Sequence, residues 1–276
     1  MNIEAFDNLI DLPPFNIPAQ FFRAENPRAL IIFLPAMGTV ANYYQSFAET
    51  WFHAGYSVML AELPGTGTSM PRPSRTADYG YHDLLEQYLP AIIRAARNLQ
   101  QESPLIIMGH SLGAQIGTIA VAQGKLAIDS LVTIAGGHIH YRNWGGAEAG
   151  KVLFAAGLFS SLTYLLGHLP GQYFGFGGPQ APTLIRDWSR IIYTGSFSHV
   201  ADGLSNHAPT PVLNIGFEND SFSPRKSVEA LAGFLGGEVK IMPVNWPGKP
   251  HSSWARNSRD LIAFIDRWLR GKDIVR

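Results

Sequence analysis

Residues 105–122 read LIIMGHSLGAQIGTIAVA. The apolar run Leu105–Met108 gives way to Gly109-His110-Ser111-Leu112-Gly113, and small and apolar residues follow to Ala122. A short continuous apolar run closed by glycine reads as a strand buried on both faces. The segment 112–122 then reads as a helix packed close against it. The join matches G-x-S-x-G, a tight strand-to-helix turn that presents a serine. Such a turn strains the serine backbone, and bulky neighbours would collide with it, which is a physical reason for glycine at 109 and 113. In a chain with 28 glycines the pattern alone does not separate a nucleophile from a turn serine, so its surroundings and partners must decide.

Further apolar runs stand at 29–34 (ALIIFL), 57–61 (SVMLA), 130–135 (SLVTIA), 211–215 (PVLNI) and 238–242 (EVKIM). Helical stripes separate them. Residues 42–54 place Tyr44, Phe47, Ala48 and Trp51 on one side, and residues 81–99 place Leu84, Leu85, Tyr88, Leu89, Ile92, Ile93 and Ala96. Pro90 is expected to kink or break the second of these. A short helix is expected over 227–235 and a strong one over 257–269, with Ser258 placed to cap its start and Gly271 to end it. Strand and helix in alternation predict an α/β fold with a mostly parallel sheet covered on both faces. The last strand and helix lie at the C-terminus, so one domain over 1–276 is expected. Residues 137–206 break the alternation and are rich in glycine and aromatic residues. They read as a mainly helical lid inserted between two strands, because a structureless loop of that length is implausible. The stretch GQYFGFGGP (171–179) is too glycine-rich for regular helix.

The 276 residues carry equal numbers of basic and acidic side chains, 46% hydrophobic and 15% charged content, and no cysteine. A zero formal charge argues against a general nucleic-acid binder. The missing cysteines exclude a disulfide framework, a cysteine zinc site and a thiol nucleophile. The first residues do not resemble a signal peptide, and no uninterrupted run of about 18 apolar residues is present, so neither export nor a membrane span is expected and the cytoplasm is the default location.

A serine nucleophile needs a base and a group that orients the base. On this fold class their order is serine, acid, histidine. The loop after 211–215 offers Glu218 and Asp220, of which Asp220 lies deeper in the loop and is preferred; Asp202 ranks behind both. Only one of nine histidines, His251, lies beyond Asp220, in the loop before the last helix. His110 should point away from the nucleophile along the turn and reads as structural. The oxyanion that forms during acyl transfer needs N–H donors. Leu112, just after the serine, and Met37, in the loop Pro35–Gly38 after the first long strand, supply them in this reading. His138, His140 and His168 lie in or next to the insertion and are candidate substrate contacts, as are Tyr141 and Trp144. No i,i+4 histidine pair or carboxylate cluster supports a metal site.

With these stretches in view, the chain resembles the α/β-hydrolase superfamily from about residue 20 to 270. LPAMG (34–38) stands where the family has its oxyanion loop, and ELPGTGTS (62–69) is similar to its D-x-x-G-x-G-x-S turn with Glu62 in place of Asp. GHSLG (109–113) is similar to the nucleophile elbow, GFENDSFSP (216–224) to the acid loop and PHSSW (250–254) to the histidine loop. YRNW (141–144) and YLLGHLPGQYFGFGG (164–178) are similar to a bacterial group of α/β hydrolases whose members mostly lack an assigned substrate. The resemblance implies a serine hydrolase acting on a carboxylic ester or thioester through Ser111, His251 and Asp220, without cofactor or metal. An acyltransferase with the same triad and a non-catalytic binding protein are the alternatives, because this fold hosts many functions. The aromatic-rich lid implies a small acyl substrate with a sizeable apolar part.

Overall fold

Alternate residues of the apolar runs part to opposite sides of one sheet and build two cores. The computed structural model describes residues 3–276. Its main sheet holds β1 (Ile3–Leu12), β2 (Phe15–Phe22), β3 (Leu30–Leu34), β4 (Ser57–Ala61), β5 (Leu105–His110) and β6 (Ser130–Ile134). After the two-residue strands β7 (Leu169–Pro170) and β8 (Pro179–Gln180), which pair with each other, it is completed by β9 (Val212–Phe217) and β10 (Glu238–Met242). The order across the sheet is β1-β2-β4-β3-β5-β6-β9-β10. β1 with β2 and β2 with β4 are antiparallel, and every other pair is parallel. Leu30, Ile32 and Leu34 of β3, Leu105 and Ile107 of β5 and Leu131 of β6 enter one core. Ile31 and Phe33, Ile106 and Met108, and Val132 and Ile134 enter the other. A strand covered on both faces needs apolar residues at every position, which is why these runs do not alternate with polar ones.

All six strands expected from the apolar runs are present. The hairpin β1–β2 is additional: no strand was expected before residue 29. β2 follows a buried, then less buried alternation and contains Pro18, a residue that argues against a strand. Pro18 is tolerated because it has only a carbonyl to offer, and that carbonyl accepts the Glu62 N–H at 3.0 Å. β10 closes the sheet as an exposed edge rather than a strand buried on both faces.

The helices longer than two turns are α1 (Gln45–His53), α2 (Leu89–Leu99), α3 (Leu112–Ala122), α4 (Gly146–Leu166), α5 (Pro182–Thr194), α6 (Arg225–Leu235) and α7 (Arg259–Gly271). Pro90 does not break its helix. A π-helical turn, Leu84–Tyr88, directly precedes α2 and absorbs the misfit of a residue that lacks an N–H. Two expectations at α7 fail in detail. Ser258 holds the N-cap position but its side chain makes no cap hydrogen bond, and Gly271 is the last helical residue while Lys272 follows as the C-cap.

Between β6 and β9 the chain leaves the sheet to form α4 and α5, with 171–178 as a 3₁₀ turn and loop between β7 and β8. Phe159 packs with Phe174 (4.9 Å between centroids) and stacks with Trp188 (6.0 Å), so several of the aromatic residues build a local core for this segment. α4 bears on the expectation about membrane spans without overturning it. Over 21 residues, with only Glu148 and Lys151 charged, it is long and apolar enough by length and composition to cross a bilayer. Glycine, serine and threonine interrupt its apolar run, which is why a search for a continuous run passes over it. Its inner face (Ala156, Phe159, Thr163) is buried, whereas Phe154, Leu158 and Leu165 share an exposed outer stripe.

Candidate active site

β5 runs straight into the elbow, and the glycines flanking it have no room for a side chain. A Cβ on Gly109 would lie 2.3 Å from the Gly113 carbonyl oxygen, and one on Gly113 would lie 2.1 Å from the Leu34 carbonyl oxygen. Ser111 itself sits at φ 52°, ψ −109°, a region that L-residues rarely occupy. The turn is held by Ser111 N–H donating to the Ile134 carbonyl (3.2 Å) and by the Ser111 carbonyl accepting from Gln115 N–H (3.2 Å). Every residue of α3 is buried, which explains its small and apolar composition.

Parallel pairing brings the C-terminal ends of β5, β9 and β10 to the same edge of the sheet, where open α/β folds form their crevices. Asp220 follows β9 and His251 follows β10. His251 Nδ1–H donates to Asp220 Oδ2 at 2.9 Å, and His251 Nε2 accepts from the Ser111 hydroxyl at 3.1 Å. A carboxylate can only accept, so the neutral ring carries its proton on Nδ1 and leaves Nε2 free to take one from serine. The Asp220 side chain is wholly buried, and its other oxygen accepts the N–H groups of Phe222 (2.9 Å) and Ser223 (3.1 Å). Glu218, by contrast, is exposed directly after β9. Pro250 suits the turn before His251 because it is the first residue of a one-turn helix, Pro250–Ser253.

Leu34 pairs in register with Gly109, so the loop 35–38 leaves β3 alongside the elbow. Met37 and Leu112 are buried there, and neither N–H is taken by a backbone carbonyl. The substrate-contact candidates of the insertion make contacts of their own. His138 Nε2–H donates to the Gly195 carbonyl (3.1 Å), and Tyr141 Oη accepts from Arg142 Nε–H (3.1 Å). The His140 ring packs against Tyr141. Trp144 Nε1–H reaches the Ser221 carbonyl (2.9 Å) and so ties the insertion to the loop of Asp220.

Residues 25–163, just over half of the chain, match the family described as serine aminopeptidase, S33. The chain belongs to this family of α/β hydrolases. A phospholipase, YtpA, from Bacillus subtilis (strain 168) is 27% identical over 107 residues, and the match spans only 38% of either chain. A thermostable carboxyl esterase from Bacillus coagulans superposes over the full length of both chains with a TM-score of 0.68 at 17% identity. A soluble variant of monoglyceride lipase from Saccharomyces cerevisiae has a TM-score of 0.65 at 15% identity, covering 98% of this chain and 96% of its own. At these identities the two structures establish the fold.

This S33 hydrolase has a cavity of about 350 Å³ beside the loop 35–38, lined among others by Gly38, Thr66, Arg72, Gln172 and Gln180. Ser111, Asp220 and His251 are not among its lining residues. Its wall is a backbone-to-backbone contact: a Cβ on Gly38 would lie 1.8 Å from the Phe176 carbonyl oxygen, and one on Gly177 would lie 2.1 Å from the Gly38 carbonyl oxygen. The segment 171–180 thus presses on the loop that carries Met37, a reason for glycine in that segment that spacing does not reveal.

Glu62, where the superfamily turn carries Asp, is buried. Its carboxylate accepts the Ala41 N–H at 2.9 Å and the Thr68 N–H, and burial raises its pKa to about 7. The folded protein therefore holds a proton that the unfolded chain has released between pH 4.5 and about 7. Stability contributed by the protonated group is complete below that window and falls as pH rises through it. The expected loss is on the order of 2 kcal/mol. Denaturant titrations at pH 5 and pH 8 check this: Glu62→Gln should flatten the pH dependence, and parallel curves for the two proteins would refute it.

Proposed function

We propose that this S33-family protein is a serine hydrolase that cleaves a carboxylic ester or thioester through an acyl-enzyme. The single observation that carries the reading is the hydrogen-bonded chain from Ser111 through His251 to Asp220 at the end of the sheet. Ser111 Oγ attacks the acyl carbonyl while His251 Nε2 takes its proton. Buried Asp220 keeps the ring in the required tautomer and stabilises the imidazolium. The N–H groups of Met37 and Leu112 receive the oxyanion. Collapse expels the alcohol or thiol, which takes the proton from His251, and water then repeats the cycle on the acyl-enzyme with His251 as base.

Residues 137–206 act as a lid within one domain spanning 1–276. The exposed apolar stripe on α4 within this segment supports an acyl group with a sizeable apolar part. The phospholipase activity named for YtpA points the same way.

A fluorophosphonate probe, followed by peptide mapping, tests the reading. Label is expected on Ser111, and folded protein that stays unlabelled there would overturn it. A panel of acyl esters and thioesters of graded chain length then defines the substrate, with product analysis in the presence of an alcohol or thiol acceptor separating hydrolysis from acyl transfer.

A further inference from the structure

His110 lies next to the proposed nucleophile and, on sequence, reads as structural only. Its side chain is buried and wired at both ring nitrogens. Nε2 lies 2.8 Å from the main-chain carbonyl oxygen of His251, and Nδ1 lies 2.7 Å from the Tyr44 hydroxyl. The Tyr44 oxygen is also 3.1 Å from the Ala36 N–H. These contacts fix each proton. A carbonyl only accepts, so Nε2 carries hydrogen. Burial holds the His110 pKa well below the ordinary imidazole value, so the ring is neutral and Nδ1 accepts. The Tyr44 O–H must then donate to Nδ1, and its lone pairs receive the Ala36 N–H. Burial keeps this phenol protonated by raising its pKa.

The chain Ala36–Tyr44–His110–His251 therefore joins three segments far apart in sequence. Ala36 precedes Met37, the proposed oxyanion donor. His110 precedes Ser111. His251 is the proposed base, and its carbonyl also accepts from Trp254 Nε1–H at 3.0 Å. We propose that His110 and Tyr44 are positioning residues, forming one relay that sets the oxyanion loop and the histidine loop against the elbow between them. The proposal rests on the hydrolase reading above. It adds a reason for a neutral residue at 110: its ring centroid is 5.0 Å from that of His251, and a second positive ring there would oppose the imidazolium that forms during catalysis.

Two measurements test the relay. The first uses the unmodified protein, labelled with ¹⁵N-histidine. Between pH 5 and 8, His110 is expected to remain neutral with its proton on Nε2. A proton on Nδ1, or titration in that range, would overturn the relay. The second compares Tyr44→Phe, His110→Ala and His110→Gln. Tyr44→Phe and His110→Ala should each lower kcat about 10- to 100-fold, with KM within about twofold; Tyr44→Phe should melt close to the parent, whereas His110→Ala leaves a cavity and should melt lower. His110→Gln, which can still offer an N–H to the His251 carbonyl, should recover part of the loss. In the double variant the two losses should not multiply, because one chain is cut twice. Unchanged kcat, a loss confined to KM, or losses that multiply would overturn the proposal. Should His110→Ala fail to fold, Tyr44→Phe and His110→Gln still decide it. Should the parent protein not label at Ser111, the hydrolase reading fails, and the tautomer measurement still decides the hydrogen-bonded relay.

Discussion

Ser111→Ala is expected to lower kcat for an acyl ester by ~10⁴- to 10⁶-fold while leaving the fold intact. The size follows from what is removed. On the proposed mechanism the hydroxyl is the group at the elbow that forms the acyl-enzyme, and the proposed N–H donors can polarise a carbonyl but cannot bond to it covalently. The fold should survive because alanine keeps the backbone and deletes one oxygen whose side-chain partner is His251 Nε2. The strain at φ 52° is borne by either residue. His251→Ala should cost a similar factor, and the double variant should be little worse than either alone, since serine and base act as a unit. Steady-state kinetics on the best ester of the panel, with circular dichroism as the control for folding, make the comparison. Activity of Ser111→Ala within tenfold of the parent, or probe label that persists on it, would remove Ser111 from the mechanism.

The elbow was legible because its demands are local. Glycine at 109 and 113 answers contacts within a few residues and with the neighbouring β3, and the apolar run before Ser111 marks a strand covered on both sides. The order Ser111, Asp220, His251 was legible because parallel strands deliver their following loops to one edge. The hairpin β1–β2 was not. Its side-chain pattern is mixed, its partner β4 is more than 30 residues away, and Pro18 argues against a strand until the Glu62 N–H is found on its carbonyl. Tyr44 was read correctly as a core position on the helical stripe over 42–54; it lies in the 3₁₀ turn Ala41–Tyr44 just before α1 and is fully buried. What no spacing discloses is that its hydroxyl meets a ring 66 positions later, which in turn meets a carbonyl a further 141 positions on. Such links depend on tertiary placement, so His110 looked like a bystander to its neighbour. The contacts of His138, Tyr141 and Trp144 were equally hidden: being polar or aromatic near a site does not disclose a partner, and the indole N–H of Trp144 meets the main chain of the acid loop.

Asp220→Asn is expected to lower kcat about 10⁴-fold, whereas Glu218→Gln should leave it within about twofold. The two carboxylates stand two residues apart in one loop, but their environments separate them. The amide at 220 is isosteric, and its oxygen can still accept from Phe222 N–H and Ser223 N–H, so the loop has no reason to move. The change falls on the atom facing His251. An NH₂ group in place of Oδ2 presents hydrogen to Nδ1, so the ring must accept there and carry its proton on Nε2. That nitrogen then faces Ser111 as a donor and cannot take its proton, and the charge that stabilises the imidazolium is also gone. Glu218 is exposed, and its main-chain N–H donates to the Met242 carbonyl (3.0 Å), a hydrogen bond that Gln retains. Equal losses in the two variants, or a larger loss for Glu218→Gln, would move the acid to the exposed carboxylate. Because a wrong tautomer disables the base without displacing it, Asp220→Asn should bind substrate with nearly unchanged KM. A loss carried by KM would instead mean that Asp220 holds the loop rather than the ring.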